Sequence, residues 1–161
     1  ESLAVVLAIL EELQHVHESH DSFVLQNLNP DKIIVSGDFS SPTVKFLHLG
    51  SYWTTPSSVM STTKTLSNKD LYYIAPEVLM KQVNVDQRAD IFSVGVILYE
   101  MLTGRIPIGR FQLPSELNVK MPVSVDKIII KSLQGYPEDR YSSSQEMANA
   151  VQQIIKMYNV D

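Results

Sequence analysis

Residues 88 to 103, RADIFSVGVILYEMLT, are the part of this chain that most restricts how it can fold. The segment is strongly apolar along most of its length, which indicates a helix buried in the core. Gly104 follows directly, and glycine is the most common residue just beyond a helix C-terminus. The stretch therefore predicts a buried helix that ends at Gly104. The side chains that we expect in its core-facing stripe are Ile91, Val94, Ile97 and Leu98.

The rest of the chain predicts further helices and one hairpin. Residues 3 to 17, LAVVLAILEELQHVH, resemble the first segment in being apolar nearly all round, so a second buried helix is expected there. Two short β-rich runs, 32–35 and 43–47, are joined by SGDFSSP and predict a hairpin. Shorter helices are expected after Pro76, over VDKIIIKSL, and from a capping box of Ser143 and Glu146 to about Tyr158.

Composition limits the class of protein. The chain has 161 residues, 44% hydrophobic and 19% charged, and no repeat or linker divides it, so one globular domain is expected over residues 1–161. A net charge of −5 argues against nucleic acid or an anionic membrane as partner. There is no cysteine for a disulfide or a thiolate metal site, no secretory signal, and no apolar run long enough to span a bilayer. These features favour a cytoplasmic location.

Three motifs in order give the chain a family resemblance. IAPEVL at 74–79 resembles the Ala-Pro-Glu motif that closes a protein kinase activation segment. Residues 90–107 resemble the kinase Asp-x-Trp-Ser-x-Gly helix, with Phe92 in place of Trp, and PEDRYSS at 137–143 resembles the late arginine motif. The chain is thus similar to the C-terminal lobe of a bacterial-type Ser/Thr protein kinase. This implies a mainly α-helical fold (α+β overall) with a small β-hairpin at the former active site. Residues 1–161 contain no glycine-rich loop or strand lysine of the kinase N-terminal lobe, so we expect them to correspond to the C-terminal lobe alone.

The resemblance places VLQNLNPDKIIV, residues 24–35, on the kinase catalytic loop, His-Arg-Asp-Leu-Lys-Pro-x-Asn-Ile-Leu. Leu28, Pro30 and the apolar tail 33–35 match, and we expect them to serve folding. The residues at the reactive positions differ. Leu25 and Gln26 stand for His and Arg, Asn27 for the catalytic Asp, Asn29 for the following Lys, Lys32 for the metal-binding Asn, and His48 for the Asp of the Asp-Phe-Gly segment.

These replacements predict a catalytically inactive, pseudokinase-like module. The amide of Asn27 is not basic, and Lys32 and His48 would not hold Mg²⁺, which prefers hard oxygen ligands. Neither ATP nor Mg²⁺ is therefore expected as a cofactor, and no metal site is predicted. Two alternatives remain. The chain could belong to a longer Ser/Thr kinase with ATP binding and residual phosphotransfer, or Lys32 could neutralise nucleotide phosphates without a metal.

Three residues are predicted to be structural rather than reactive. Within the resemblance, Glu77 and Arg140 form a buried ion pair. Asp90 is expected to bind backbone groups at Gln26 and Asn27 and to cap its own helix. We expect function through binding or scaffolding in signalling. The partner would be a protein or companion domain, on the surface that faces the N-terminal lobe in kinases, or a second copy of the chain.

Two polar clusters invite other interpretations. His15, His17, His20 and Asp21 suggest a metal-dependent hydrolase, but their offsets do not align on one helix face, so a polar helix end is favoured. The Ser- and Thr-rich residues 51–68 predict a long loop. Phosphates on such a loop would need an arginine receiver, and Gln26 stands where the family has one. Phosphoacceptor residues therefore stay unknown.

Overall fold

The computed structural model describes residues 1–19, 23–47, 69–82 and 84–158. Its helices are α1 (Ser2–Ser19), α2 (Pro76–Leu79), α3 (Arg88–Thr103), α4 (Pro114–Leu117), α5 (Val123–Ser132) and α6 (Ser144–Tyr158). Two strands, β1 (Ile33–Ser36) and β2 (Thr43–Phe46), form the hairpin. Short 3-10 helices cover Pro30–Lys32, Asp70–Tyr73 and Pro137–Asp139. The mainly helical fold with one small hairpin is the one that the sequence predicts.

Helix α3 lies at the centre of this fold and has the predicted bounds. It packs against α1, α4, α5 and α6. It ends where Gly104 adopts a left-handed conformation, with φ of 68°, and donates its N–H to the Glu100 carbonyl at 2.7 Å. The crossing with α5 is close at Gly95, because a Cβ there would lie 2.3 Å from the Ser132 Oγ. Glycine is therefore required at that point for the two helices to meet.

Helices α1 and α6 cover the central helix from one side. The buried residues of α1 are Val5, Val6, Ile9, Leu10, Leu13 and Val16, and α6 contributes Met147, Val151 and Ile154 to the same core. Their spacing of three and four residues is that of one helix face. None of the helices in the described ranges is long and apolar enough to cross a membrane.

The hairpin buries fewer apolar side chains than the sequence predicts. The strands are antiparallel, with Ile33 opposite Phe46 and Ser36 opposite Thr43. Ile33 and Phe46 pack against the core, but Ile34 and Val35 are 46% and 42% exposed. The expectation that the whole apolar tail of the loop serves folding is therefore wrong for these two residues. The hairpin lies at the edge of the helical core, so the described helices cover Ile33 and Phe46 but leave Ile34 and Val35 exposed.

The predicted capping box at the start of α6 is only half formed. The Ser143 Oγ accepts the Glu146 N–H at 3.1 Å, as expected. The Glu146 carboxylate, however, accepts the N–H of Ser142 at 2.7 Å rather than that of Ser143. It also receives the ammonium of Lys131 at 2.7 Å, which links α6 to α5. The carboxylate thus binds one residue earlier in the chain than the motif implies.

Candidate functional site

The loop that precedes β1 is held by the first turn of α3. The Asp90 carboxylate is fully buried and accepts the N–H of Leu25 at 2.9 Å and of Gln26 at 2.8 Å. Gln26 has φ of 60°, a left-handed conformation that disfavours residues with a Cβ. Two charge-assisted hydrogen bonds therefore offset the strain of this turn. The position of Asp90 near the positive end of α3 further stabilises its charge.

His17, at the end of α1, also contacts Asp90. Its Nε2 lies 2.9 Å from the Asp90 Oδ2, and its side chain is buried. The sequence places His17 in a polar helix end, and the structure corrects this for that residue. His17 is buried for a physical reason, because a buried carboxylate such as that of Asp90 requires hydrogen-bond donors around it. Asp90 thus joins α1, α3 and the loop.

The expectation for Asp90 was correct for Gln26 and wrong in two details. The second backbone N–H belongs to Leu25 and not to Asn27. Asp90 is the third residue of α3 and does not cap it, since both carboxylate oxygens bind groups outside the helix. Asp86 instead accepts the N–H of Arg88 at 2.9 Å in that first turn.

The loop brings together the side chains of Asn27, Asn29 and Lys32, which are close in sequence. Both asparagines are buried. The Nδ2 of Asn29 donates to the Asn27 Oδ1 at 3.4 Å, and the Lys32 ammonium donates to the Asn27 backbone carbonyl at 2.6 Å. The side chain of Lys32 folds back over the loop in this way.

This donor set does not fit a divalent cation or proton abstraction. A neutral amide at Asn27 cannot accept a hydroxyl proton as a carboxylate does. An ammonium fixed 2.6 Å from the Asn27 carbonyl would repel Mg²⁺ from that part of the loop. Asn27 and Lys32 therefore do not fit the base and metal-ligand roles that the family resemblance gives to their positions.

The environment of Lys32 predicts an unusual pH dependence. Burial lowers the pKa of Lys32 from 10.5 to about 8, while Asp70 opposes this by raising it. Between these two values the unfolded chain binds more protons than the folded one, so the stability contributed by this group rises with pH. Because the side chain is partly solvated, we expect the parent to gain about 1 kcal/mol relative to Lys32→Met across that window.

Urea unfolding of both proteins at the two ends of the window measures this difference. The remaining lysines cancel in the comparison, and Lys45→Met, on the exposed side of β2, serves as the matched control. Equal pH dependence in the parent and in Lys32→Met would contradict the burial of the ammonium.

Asp70 is a site residue that the sequence analysis missed. Its Oδ1 accepts the Nδ2 of Asn29 at 3.3 Å, which brings a carboxylate to the loop from a segment 41 positions further along. Three residues later, the Tyr73 hydroxyl donates to Glu100 at 2.5 Å on α3. No local pattern marks Asp70, which precedes IAPEVL by only a few residues. The contact depends on how the 3-10 helix Asp70–Tyr73 packs against the loop.

Glu77 and Arg140 form the buried pair that the resemblance implies. The Arg140 Nη1 and Nη2 donate to the two Glu77 oxygens at 2.7 and 2.8 Å, and the pair is 3% exposed or less. The other guanidinium hydrogens go to the backbone carbonyls of Gln134, Gly135 and Arg88. All five donors of this arginine are therefore used.

Several predicted positions lie outside the described residues. They are His48, which stands for the kinase metal-binding Asp, His20 and Asp21 of the histidine cluster, and the Ser- and Thr-rich residues 51–68. Over the ranges that the structure describes, no group of His, Asp and Glu is arranged to hold a metal ion.

The central helix anchored to a strained loop and the buried Glu77–Arg140 pair are the two structural features that the family resemblance implies. The model of the protein kinase domain family matches residues 2–160, and the chain belongs to that family.

The chain is similar to bacterial serine/threonine-protein kinases. It is 29% identical to serine/threonine-protein kinase Pkn1 of Myxococcus xanthus, over 93% of this chain and 23% of that protein. It is 26% identical to serine/threonine-protein kinase PrkC of Bacillus subtilis, over 91% of this chain and 24% of that protein. The chain thus spans about a quarter of the length of these relatives.

A solved structure supports the fold. The kinase domain of Mycobacterium tuberculosis PknI superposes with a TM-score of 0.67 at 20% identity, covering 94% of this chain and 54% of that one. The chain is therefore a partial kinase domain of bacterial Ser/Thr type.

Proposed function

We propose that this chain is the C-terminal lobe of a kinase-related domain that has lost phosphotransfer and acts by binding another protein or a companion domain. The observation that carries the proposal is the Lys32 ammonium, 2.6 Å from the Asn27 carbonyl, at the position where kinases hold a metal ligand. Replacement of the base by Asn27 alone would cost about 10²–10⁴ in rate. Loss of the metal site would add to that cost.

The scaffold around this centre is nevertheless maintained. Asp90 still binds the loop backbone, and Arg140 still pairs with Glu77. Both arrangements stabilise a shape and neither supplies a reactive group. A folded scaffold without reactive side chains is compatible with a binding module.

An exposed apolar surface supports binding as the mode of action. Ile34 and Val35 on β1 are exposed, and Phe39 in the hairpin turn is 61% exposed. Beside the turn is a groove of about 760 Å³, formed where the start of α1, the end of α3 and the end of α6 approach one another. Its apolar lining includes Phe39, Leu102, Met121, Val125, Ile155 and Tyr158, and polar residues such as Glu1 and Lys120 also line it. Exposed apolar surface rimmed by polar residues is typical of interaction sites.

We propose that a companion domain of the same polypeptide covers this surface. The chain aligns with only 54% of the PknI kinase-domain structure, so a further unit of comparable size accompanies the matching part in that protein. The net charge of −5 does not favour nucleic acid as the occupant. A homodimer through the same surface is the competing arrangement.

A phosphotransfer assay on the full-length gene product tests the loss of catalysis. We expect no phosphate transfer from ATP to the protein itself or to a general Ser/Thr substrate, with either Mg²⁺ or Mn²⁺. Asn27→Ala is the matched control, because it should change nothing in an inactive protein. Activity that disappears in Asn27→Ala would contradict the proposal.

A residual kinase activity is the second candidate function, and it is favoured by the names of the relatives, which are serine/threonine-protein kinases. In this case the remainder of the polypeptide would supply a glycine-rich loop and a strand lysine. The same assay separates the two functions.

A further inference from the structure

The loop and the segment before α2 are joined by a polar network that the resemblance does not explain. The Asn29 Nδ2 lies between two acceptors, the Asn27 Oδ1 at 3.4 Å and the Asp70 Oδ1 at 3.3 Å. Asn27 and Asn29 belong to the loop, whereas Asp70 begins the 3-10 helix Asp70–Tyr73. One buried amide therefore connects two distant parts of the chain.

A charged group lies on each side of this amide. The Lys32 ammonium donates to the Asn27 carbonyl at 2.6 Å, and the Asp70 carboxylate interacts with that ammonium electrostatically, raising the pKa of Lys32 against the effect of burial. Attraction between such groups is strongest where water is largely excluded, as beside the buried asparagines. The carboxylate and the ammonium thus reinforce the weak amide contacts.

We propose that Asp70, Asn29 and Lys32 form a clasp that holds the Asp70–Tyr73 helix against the loop without a phosphate or a bound ligand. This inference rests on the proposed function, because a binding module needs a surface that stays in place without catalysis. Gln26 provides no cation for a phosphate to engage, so ordering by phosphorylation through that position is not available. In this chain the charges of Asp70 and Lys32 would order the N-terminal end of the Asp70–Tyr73 helix instead of a phosphate.

The far end of the same helix is held independently. The Tyr73 hydroxyl binds Glu100, and the Tyr73 carbonyl accepts the Ser93 hydroxyl at 2.7 Å. These contacts fix the C-terminal end on α3. At the N-terminal end, the Lys69 ammonium lies 3.1 Å from the Glu100 carboxylate, but the Lys69 side chain is largely exposed and such a pair contributes little. The clasp supplies the partly buried contacts at that end. Between them, Leu71 and Tyr72 are presented to solvent as apolar side chains. Opening the clasp should therefore release the Lys69–Tyr72 turn while Tyr73 stays anchored.

Hydrogen–deuterium exchange of the chain tests this directly. The Tyr72 N–H bonds to the Lys69 carbonyl and the Ile74 N–H to the Leu71 carbonyl, so both amides report on the helix. We expect Asp70→Ala and Lys32→Met each to speed exchange at Tyr72 at least about tenfold, with α3 amides unchanged. The double variant should exchange no faster than the faster single variant, because both open one clasp.

Two control variants distinguish local opening of the clasp from a general loss of stability. Asp31→Ala removes an exposed carboxylate from the same loop and should leave exchange at Tyr72 unchanged. Asp70→Asn keeps an acceptor for Asn29 without the charge, so it should give an intermediate rate. Unchanged exchange at Tyr72 in Asp70→Ala, or equal acceleration throughout α3, would overturn the proposal. Neither outcome bears on phosphotransfer, so failure of the clasp and failure of the proposed function are distinguishable.

Discussion

Arg140→Ala is expected to lower the free energy of unfolding by about 3–5 kcal/mol, the cost of leaving a buried carboxylate without its partner. Glu77 is 3% exposed, so water cannot replace the guanidinium. The substitution also removes the donors for the Gln134, Gly135 and Arg88 carbonyls. Chemical denaturation monitored by circular dichroism measures the difference.

Two further variants separate charge from geometry in this pair. Arg140→Lys keeps the charge but cannot reproduce two parallel hydrogen bonds to Glu77, so it should recover only part of the loss. Arg88→Ala removes an arginine whose partner, Asp86, is partly exposed, and should cost about 1 kcal/mol or less. A loss below 1 kcal/mol in Arg140→Ala, equal to that in Arg88→Ala, would show that the buried pair does not support the fold.

Asp90→Ala is expected to have an effect of similar size, about 3 kcal/mol or more, for a different reason. Two backbone N–H groups, those of Leu25 and Gln26, and the ring of His17 lose their acceptor at a buried position. The left-handed conformation of Gln26 also loses the bonds that offset its strain. We expect unfolding at lower urea together with faster amide exchange at Leu25 and Gln26.

The control for Asp90→Ala lies one turn away. Asp86→Ala removes a carboxylate that binds only groups of the neighbouring Arg88 in the described structure, and it should leave exchange at Leu25 and Gln26 unchanged. If Asp90→Ala kept the loop amides protected, Asp90 would not be what holds the loop, and the account of the retained scaffold would be wrong.

The sequence was sufficient wherever one local pattern decides the structure. The apolar run 88–103 can only be a central helix, and Gly104 has the freedom to end it. The hairpin follows from two β-rich runs and a short turn. The Glu77–Arg140 contact was available only through the family resemblance, since 63 positions separate the two residues.

The predictions that were wrong or missing concern residues whose burial and contacts depend on long-range packing. Ile34 and Val35 read as core residues by composition, yet no described element covers them. His17 reads as a surface residue until α1 is placed against Asp90. Asp70 has no distinguishing neighbours, and its role follows only from the return of its segment to the loop. Hydrophobic periodicity indicates which face of a single helix or strand is buried. It does not indicate contacts between two different elements, such as those of His17 and Asp70.

We propose that the former reactive centre no longer binds a nucleotide together with a metal ion. A thermal-shift titration of the chain with ATP, up to millimolar concentration, tests it most directly when run with Mg²⁺ and with EDTA. We expect an unchanged melting temperature in both series, because the Lys32 ammonium lies where a metal ligand is needed. A rise that requires Mg²⁺ would contradict the account, and a rise in EDTA that is lost in Lys32→Ala would show that this lysine binds the phosphates itself.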